Sequence, residues 1–515
     1  MIRRPPRSTQ GVSSAASDVY KRQGAKSEEI LLYFIGIDLG TSGLRAILVD
    51  QFSNFIASSE SKYEVSNPNP GWSEQDPEDW IKACKLVFKE LQTNFPNEIS
   101  KLQSIGVAGH MHGAVLLDKL QKPIRPCILW NDTRSHIEAE SLDSQEKIRE
   151  LSGNIVFPGF TAPKLLWVKN NEPELFERIE TVVLPAGFLN TWLIGAPFAD
   201  MSDSAGTSWL DIKTRKWSKH LISVSDMKME QMPKLVEGNQ VAGQMRADLT
   251  SEFGFPKDVK IVGGAGDNAA AACGVGAINE GEGFVSLGTS GVLLLSRDQC
   301  NPFTDAAVHT FCHAIPQKWY QMGVILSATD SINWLSRISG KSAAELDQLL
   351  PDQPSGPANE RFFPYLSGER TPLNDPHIRA GFSGLGQTSD LAKLTQAVME
   401  GVCFALRDCL EAIRETGASP TSLLVIGGGS ASQFWLQTLS NTLNIELEKP
   451  KSGEFGAALG AARLAISSII KEPIENIMSK PEIEKKIIPD QRYVNLYQTA
   501  YEKFTQGHSN LRGLQ

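Results

Sequence analysis

Short apolar runs that end in glycine alternate along the chain with stretches whose apolar residues fall on one helical face. Three such runs occupy residues 102–109, 260–266 and 422–429. A helix is predicted at 76–91, where Asp76 suits the N-cap and Pro77 the first helical position. A second helix is predicted from about Leu391 to Glu415. This alternation predicts an α/β fold that binds ligands at the carboxyl ends of its strands.

The pentapeptide Leu-Gly-Thr-Ser-Gly occurs twice, at 39–43 and 287–291, each time between two apolar runs. Each copy predicts a β-hairpin with a glycine-rich tip. The copies lie 248 residues apart (287 minus 39), which indicates a duplicated domain with its boundary near Ala277–Gly281. We therefore expect an N-terminal domain at 31–279, a C-terminal domain at 280–500 and a tail at 501–515.

Length and charge restrict the class of protein. The chain has 515 residues, and a single hydrophobic core stops growing at roughly 250–300, so two large domains are expected. The formal net charge of -9 disfavours nucleic acid or an anionic membrane as a partner. No apolar run reaches the roughly 18 residues of a transmembrane helix. The seven cysteines lack a C-x-x-C pair, which favours a cytoplasmic location without disulfides or a thiolate zinc site.

The first 30 residues differ in character from the rest of the chain. They are basic and Ser-rich and contain no apolar stretch of signal-peptide length. We expect this segment to be disordered and interpret it as a non-native extension, since it resembles translated sequencing-adapter sequence. A mitochondrial transit peptide is the alternative. The folded chain is expected to begin at Leu31.

Each hairpin tip carries groups suited to phosphate. Glycine lets the backbone approach an anion closely, and successive N–H groups with Thr and Ser hydroxyls can surround it. The candidate phosphate-binding residues are Gly40, Thr41 and Ser42 in the first tip and Gly288, Thr289 and Ser290 in the second. Only the first tip follows an acidic residue, Asp38, which is a suitable ligand for hydrated Mg²⁺. A plain turn would explain either tip alone, whereas the pair suggests two loops around one polyphosphate.

Asp267 follows a glycine-rich strand end and opens a predicted helix. The segment 264–269 also fits a dinucleotide-binding pattern, but Asp267 would place negative charge where the pyrophosphate needs donors. A simple helix cap is a further alternative. The functional interpretation is a general base that takes a proton from a sugar hydroxyl as the hydroxyl attacks phosphorus.

Other strand ends carry weaker candidates. Gly427 and Gly428 could face adenine or ribose, or could permit close strand–helix packing. His110 and His112 are expected on opposite faces of a strand, so they should not share a metal; one His donating to a polar substrate is preferred. His309 and His313 would lie about 13 Å apart along a strand, and we interpret them as structural.

Together these motifs resemble the FGGY carbohydrate kinases, from about Tyr33 to Gln498. The matching blocks include YFIGIDLGTSG (33–43), GWSEQDPEDW (71–80), GHMHGAVLLD (109–118), ILWNDTR (128–134), GGAGDNAAAACGVG (263–276), VSLGTSGV (285–292), PYLSGERTP (364–372) and GGGSASQFW (427–435). The resemblance implies two actin-like ATPase domains of the ribonuclease H-like type that flank a catalytic cleft. It implies ATP and Mg²⁺ as cofactors, and a homodimer as a family-level expectation.

The resemblance also assigns roles to individual residues. Asp267 matches the proton acceptor, Met111 and His112 match the substrate-binding pair, and Asp38 matches the acidic residue near Mg²⁺. Arg134 is a further candidate for positioning the sugar. The Met-His pair indicates the members that phosphorylate D-xylulose at its terminal hydroxyl. Kinases for ribulose, gluconate or glycerol, an ATPase acting on protein partners and an inactive sugar sensor are the alternatives.

Overall fold

The computed structural model describes residues 31–451 and 456–513, so the expectation of disorder at 1–30 lies outside the described residues. Two seven-stranded sheets dominate the fold. The first contains β1 (Tyr33–Leu39), β2 (Gly43–Asp50), β3 (Phe55–Lys62), β4 (Leu102–Gly109), β5 (Val241–Gln244), β6 (Lys260–Val262) and β7 (Ala265–Gly266). The second contains β8 (Gly283–Leu287), β9 (Gly291–Arg297), β10 (His309–Cys312), β11 (Trp319–Ile325), β12 (Ser422–Ile426), β13 (Glu446–Pro450) and β14 (Ile483–Ile487).

The two sheets repeat one arrangement. Written in the same direction, the strand order is β3-β2-β1-β4-β6-β5 in the first sheet, with β7 beside β4. In the second sheet it is β10-β11-β9-β8-β12-β13-β14. In each, the two strands of the repeated hairpin pair antiparallel, and the first of them pairs in parallel with a later strand. Both predicted hairpins are thus confirmed, and the shared order agrees with a duplication.

Both helices predicted from the apolar pattern are present. The helices used below are α1 (Pro77–Asn94), α2 (Asp267–Gly274), α3 (Leu391–Arg414) and α4 (Gly456–Ile469). Asp76 caps α1 by accepting a hydrogen bond from the Glu78 N–H at 3.0 Å, as its position suggests. Asp390 caps α3 through the Lys393 N–H at 3.0 Å. The α/β fold class is therefore confirmed.

Further elements connect and cover the sheets. The remaining helices are Pro96–Ile99, His136–Asp143, Ile148–Ser152, Thr161–Asn171, Pro173–Phe176, Pro185–Ile194, Met201–Ala205, Lys219–Ser223, Ala247–Phe253, Thr329–Ser339, Ala343–Asp347, Gln433–Leu443, Ile474–Ile477 and Gln491–Arg512. The remaining strands are Glu74–Gln75, Val115–Leu117, Cys127–Ile128, Thr181–Val183, Phe198–Asp200, Leu210–Asp211, Lys216–Trp217, Lys234–Val236, Arg361–Phe363 and Gly381–Ser383. Among the described residues, no helix has the length and apolar character needed to cross a bilayer.

Two predicted strands are shorter than their apolar runs. The run at 260–266 is divided into β6 and β7 because Gly264 has a φ of +77°, and a Cβ there would lie 2.0 Å from the Val107 carbonyl oxygen. The run at 422–429 forms a strand only as far as Ile426. Gly427 follows with a φ of +88° and leads into a 3₁₀ turn at Gly428–Ala431. Left-handed glycines therefore end both strands at the sheet edge.

The segment from residue 501, expected as a C-terminal tail, is helical as far as Arg512. The helix Gln491–Arg512 continues through residue 501, and Phe504 on it is fully buried. Its ring stacks on Phe363 with centroids 5.1 Å apart. The apolar face of this helix therefore belongs to the core of the second sheet.

One helix links the two halves of the molecule. Although α4 lies late in the chain, it packs on β1 and β4 of the first sheet and on α2. The contact is close because it involves glycine: a Cβ on Gly36 would lie 1.9 Å from the Ala458 carbonyl oxygen, and one on Gly106 would lie 2.1 Å from that of Ala461. Packing therefore crosses the boundary expected at 277–281.

Candidate active site

The strand order brings the candidate residues to one edge of the first sheet. β1 and β4 are parallel, with Leu39 opposite Gly109, and β7 is parallel to β4, with Gly266 opposite Gly109. Asp38, the histidine segment after Gly109 and Asp267 thus lie at neighbouring carboxyl ends. This is the edge at which open α/β sheets bind ligands.

A cavity of about 390 Å³ lies at this edge, and we call it the central cavity. Residues from both halves of the chain line it. Those used below are Met111, His112, Trp130, Asp132, Phe157, Phe160, Asp267, Ser290, His309, Phe311 and Arg370. Aromatic rings and polar groups both line its wall, as is common in binding sites for small organic molecules.

Asp267 is a partly buried carboxyl in the wall of the central cavity. It is the first residue of α2, and Gly266 occupies the N-cap position, so Asp267 is not the helix cap. Its Oδ1 accepts hydrogen bonds from the N–H and side-chain amide of Asn268, at 2.7 and 2.9 Å. Burial, together with the nearby charge of Asp38, raises the pKa of Asp267 to about 7. A carboxyl with this pKa is well matched to proton transfer near neutrality.

Asp38 lies next to the first hairpin tip and is also partly buried. It is opposite Arg45 in the antiparallel ladder, and the Arg45 guanidinium binds Glu60 at 2.8 Å. Burial raises the pKa of Asp38 to about 6, although Arg45 opposes the shift. Two neighbouring carboxyls with raised pKa values indicate negative charge that lacks full compensation. Mg²⁺ is commonly held by one or two carboxylates with phosphate oxygens and water, so this pair fits it.

No larger cluster of metal ligands accompanies this pair. Across residues 31–451 and 456–513, no group of three or more His, Cys, Asp or Glu side chains is arranged to hold a metal ion. The interpretation of Asp38 as a metal ligand therefore depends on phosphate oxygens that would complete the coordination.

His112 presents a hydrogen-bond acceptor to the central cavity. Its backbone has a φ of +68°, and its Nδ1 lies 2.7 Å from the Gly206 carbonyl oxygen. Because a carbonyl oxygen only accepts, Nδ1 carries the proton and Nε2 keeps its lone pair. Burial lowers the pKa of His112 to about 3, so the ring stays neutral. The expectation that one histidine of this segment donates to a polar substrate is therefore revised for His112, whose free nitrogen accepts.

The two histidines of this segment, His110 and His112, lie in different surroundings. His110 packs against Trp80, with ring centroids 5.6 Å apart, whereas His112 stacks on Phe160 at 4.4 Å. The two histidines face different groups, as predicted. Met111 lines the central cavity, and its Sδ lies 3.5 Å from the Tyr320 hydroxyl.

The first hairpin tip is tied to the wall of the central cavity. The Thr41 hydroxyl oxygen accepts a hydrogen bond from the Trp130 indole at 3.0 Å, and the Thr41 carbonyl accepts one from Gln75 at 2.6 Å. Gly40 donates across the turn to the Gly43 carbonyl at 3.0 Å, and Ser42 is exposed. The tip is thus held in place with Ser42 open to solvent.

The second hairpin tip is fixed by a helix N-terminus. The carbonyls of Gly288 and Thr289 accept hydrogen bonds from the N–H groups of Thr329 and Ala328, at 2.9 and 2.8 Å. Thr289 is exposed, and Ser290 is an exposed residue of the central cavity wall. Their hydroxyl groups are therefore accessible to a ligand.

Gly427 and Gly428 play different parts. A Cβ on Gly427 would lie 2.7 Å from the Leu287 carbonyl group, so this glycine permits close packing on β8. A Cβ on Gly428 would meet nothing within 4 Å. Gly428 lines a second cavity of about 420 Å³, the glycine-lined cavity, together with Thr329 and Trp435. Thr329 also donates to Gly288 at 2.8 Å, which connects this cavity to the second hairpin tip.

The structure does not bring Arg134 to the central cavity. Its side chain is 1% exposed and forms ion pairs with Asp132 and Glu74, both at 2.7 Å. Its guanidinium carbon lies 3.6 Å from the centroid of the Trp72 ring. We therefore revise its expected role from sugar contact to positioning of Asp132, which does line the cavity.

Two residues of the central cavity, His309 and Arg370, were not predicted as site residues from the sequence. His309 was interpreted as structural, but it lines the central cavity, whereas His313 is buried and accepts from the Ile315 N–H at 3.2 Å. Arg370 also lines the cavity and stacks over Phe157 at 4.4 Å. Arg370 belongs to the block PYLSGERTP, so the family resemblance had drawn attention to the segment without assigning it a role.

Comparison with known proteins gives matches along nearly the whole chain. The model of the FGGY family of carbohydrate kinases matches residues 33–274 with its N-terminal domain and residues 283–469 with its C-terminal domain. Xylulose kinase of Escherichia coli (strain K12) is 39% identical over 481 residues, which cover 93% of this chain and 99% of that protein. Xylulose kinase of Klebsiella pneumoniae is 40% identical over 488 residues, with the same two shares of coverage.

A solved structure extends this similarity to three dimensions. The crystal structure of a xyloylose (xylulose) kinase from Brucella ovis superposes with a TM-score of 0.93 at 47% identity. The match covers 94% of this chain and 100% of that one. The expected two-domain architecture is thereby confirmed.

Proposed function

The chain belongs to the FGGY family of carbohydrate kinases, and from that premise we propose that it transfers the γ-phosphoryl group of ATP to the terminal hydroxyl of D-xylulose. The observation that carries the proposal is the position of Asp267. Its carboxyl, with a pKa of about 7, faces a cavity that both halves of the chain line and that holds Ser290 of the second hairpin tip. Xylulose kinases about 40% identical over nearly the full length support D-xylulose as the substrate.

Asp267 accepts the proton of the reacting sugar hydroxyl. In the reaction, the sugar hydroxyl oxygen forms a bond to the γ-phosphorus while the bond from that phosphorus to the β–γ bridging oxygen breaks, and ADP leaves. Asp267 takes the hydroxyl proton as the new bond forms. Asn268 holds Oδ1 by two hydrogen bonds, so the carboxyl keeps one orientation.

His112 and Met111 orient the sugar. Nε2 of His112 accepts a hydrogen bond from a sugar hydroxyl, since the Gly206 carbonyl fixes the proton on Nδ1. Met111 offers an apolar surface beside it. These contacts hold the reacting hydroxyl towards Asp267 and exclude water that would compete as a nucleophile.

Asp38 is the residue that would hold Mg²⁺, beside Gly40, Thr41 and Ser42. When bound, the ion neutralises charge on the β- and γ-phosphates. The fit rests on the partly buried carboxyl of Asp38, whose pKa is raised to about 6, beside a hairpin tip that leaves the Ser42 hydroxyl accessible. Asp38 is thereby assigned a role separate from that of the base.

The nucleotide is assigned to the glycine-lined cavity. Gly428 leaves room for a flat ring, and Thr329 joins this cavity to the second hairpin tip. Gly288, Thr289 and Ser290 would then face the phosphates from the side opposite to Thr41. The polyphosphate would run from the glycine-lined cavity to the central cavity, where Asp267 lies.

The test is ADP release measured by a coupled assay over a panel of sugars. We expect D-xylulose to give a kcat/KM at least about tenfold above that of ribulose, gluconate or glycerol, since each misplaced hydroxyl leaves a buried polar group unpaired. Preference for another member of the panel would replace D-xylulose with that substrate. ATP turnover indifferent to every sugar would instead favour an ATPase that acts on a protein partner, and no turnover at all would favour a sugar sensor.

A further inference from the structure

A cluster of three further polar side chains lines the central cavity, as Asp267 does. It consists of His112 from the N-terminal half and of His309 and Arg370 from the C-terminal half. Burial lowers the pKa values of His112 and His309, and the charge of Arg370 lowers both further. All three side chains line the same cavity as Asp267, so one small ligand can reach both.

Arg370 is a half-buried cation in the wall of the central cavity. In the part of the chain that the structure describes, its guanidinium forms no ion pair and no hydrogen bond, and its contact is with the Phe157 ring, 4.4 Å away. Its neighbour Glu369 accepts from the Leu326 and Arg370 N–H groups at 3.0 and 2.7 Å, and burial raises the pKa of Glu369 to about 8. A half-buried guanidinium with free donors that faces a cavity can bind an acceptor of the ligand.

His309 has its proton fixed in the same way as His112. Its Nδ1 lies 3.2 Å from Oδ1 of Asn154. That oxygen also accepts from the Thr310 N–H at 3.1 Å, while the Asn154 amide nitrogen donates to the Thr310 carbonyl at 2.8 Å. The amide orientation is therefore determined, Nδ1 of His309 is the donor, and its Nε2 is an acceptor. The cluster thus combines one cationic donor with two neutral acceptors.

We propose that Arg370 is a specificity-determining residue, and that with His309 it binds the carbonyl end of an open-chain ketose whose other end reaches Asp267. A ketose offers at that end a carbonyl oxygen, which only accepts, and flanking hydroxyls, which donate. The guanidinium matches the first, and the two imidazole nitrogens match the second. This inference rests on the proposed function, and it assigns to the C-terminal half a direct part in choosing the sugar.

The experiment compares D-xylulose with xylitol, which carries a hydroxyl in place of the carbonyl, in wild type, Arg370→Met and Arg370→Gln. Loss of a charge-assisted hydrogen bond should raise KM for D-xylulose about 10- to 100-fold, with kcat within about threefold and KM for ATP unchanged. The ratio of kcat/KM for D-xylulose to that for xylitol should fall by about tenfold. Arg379→Met is the matched control, because Arg379 lies in the same loop but is exposed.

The possible failures are distinguishable. A wild-type enzyme inactive on D-xylulose would overturn the proposed function itself. Wild-type activity together with an unchanged KM and an unchanged ketose-to-polyol ratio in both Arg370 variants would overturn only the role of Arg370. If Arg370→Met does not fold, Arg370→Lys takes its place, because it keeps the positive charge. The affinity for D-xylulose, measured by calorimetry without ATP, then replaces KM as the quantity that is compared with wild type. His309→Phe should likewise weaken D-xylulose binding while keeping the ring stacked on Phe311.

Discussion

Asp38 and Asp267 are acidic groups whose surroundings oppose their ionisation. Burial is the main cause for both, and the charge of Asp38 adds to the shift of Asp267. Such carboxyls destabilise a fold when ionised and are retained where charge is needed for chemistry. The same property governs both the rate of the proposed reaction and the stability of the protein.

Replacement of the proposed base should remove most of the activity. Asp267→Asn keeps the size of the side chain but cannot take a proton, so kcat should fall by about 10²- to 10⁴-fold while D-xylulose binding survives. Steady-state ADP release and calorimetry measure the two quantities. Asp352→Asn is the control, since Asp352 is exposed. Turnover near the wild-type level in Asp267→Asn would show that another group accepts the proton.

The raised pKa of Asp267 also predicts how stability depends on pH. Between the ordinary value of 3.8 and about 7, the unfolded chain loses the proton of Asp267 while the folded chain keeps it. Stability is therefore lost as pH rises through this window, and the loss is complete above pH 7. Without metal or nucleotide, Asp267→Asn should have a higher Tm than wild type at pH 8, and the difference should shrink towards pH 4. Thermal unfolding across this range checks it; a difference independent of pH would contradict the assigned ionisation.

At the residue scale, sequence reasoning located the groups whose chemistry is local to a motif. Asp267, Met111 and His112 each follow a strand that ends in glycine, Asp38 lies near the end of β1, and all four lie at one sheet edge. The proton position on His112 could not be read from the sequence, because the carbonyl that fixes it belongs to Gly206, 94 residues later.

At the element scale, the glycines that face α4 set how the two halves are joined. The absence of side chains on Gly36 and Gly106 lets the helix backbone lie directly on β1 and β4. Since β1 also carries Asp38, the position of a metal-binding candidate depends on a helix more than 400 residues later in the chain. Interiors are closely packed, so even one methyl group at such a contact must displace backbone.

A single added methyl group should therefore destabilise the protein. Gly36→Ala places a Cβ 1.9 Å from the Ala458 carbonyl oxygen and should lower the free energy of unfolding by about 3 kcal/mol, near the upper end of overpacking effects. Thermal or urea unfolding measures the loss. Gly386→Ala is the matched control, because nothing lies within 4 Å of the added Cβ, and it should stay within about 0.5 kcal/mol of wild type. Equal stability of the two variants would contradict the close contact.

Elements with a strong local signal were predicted well, and elements that depend on distant partners were not. The helix cap at Asp76 and both glycine-tipped hairpins are determined within a few residues, and the structure has them. The strand break at Gly264 and the packed helix through residue 501 depend on the Val107 carbonyl and on Phe363, which are distant in sequence.

At the scale of the whole molecule, two cavities adjoin the second hairpin tip: Ser290 lines the central cavity, and Thr329 of the glycine-lined cavity donates to Gly288. The central cavity takes residues from both halves, whereas the glycine-lined cavity takes residues only from the C-terminal half. If the sugar and the nucleotide bind in these separate cavities, substitutions should affect the two KM values independently.

Filling the glycine-lined cavity should weaken nucleotide binding alone. The backbone at Gly428 tolerates a side chain, and the space beside it is open, so Gly428→Val should fold normally. Its branched side chain would occupy the cavity and raise KM for ATP about tenfold, with KM for D-xylulose nearly unchanged. Initial-rate kinetics with each substrate varied in turn separates the two effects. A selective rise in KM for the sugar would place the nucleotide elsewhere.

The duplicated hairpins, the α/β class, the family and the carboxylates of the proposed chemistry can all be recognised in the amino-acid sequence, because each depends on residues adjacent in the chain. Three features became visible only in the folded molecule: Arg134 supports Asp132 instead of reaching the cavity, α4 packs on the first sheet, and His309 and Arg370 line the same cavity as His112. The physical reason is that burial, charge compensation and hydrogen-bond partners are set by groups far apart in sequence, and only folding brings them within contact distance.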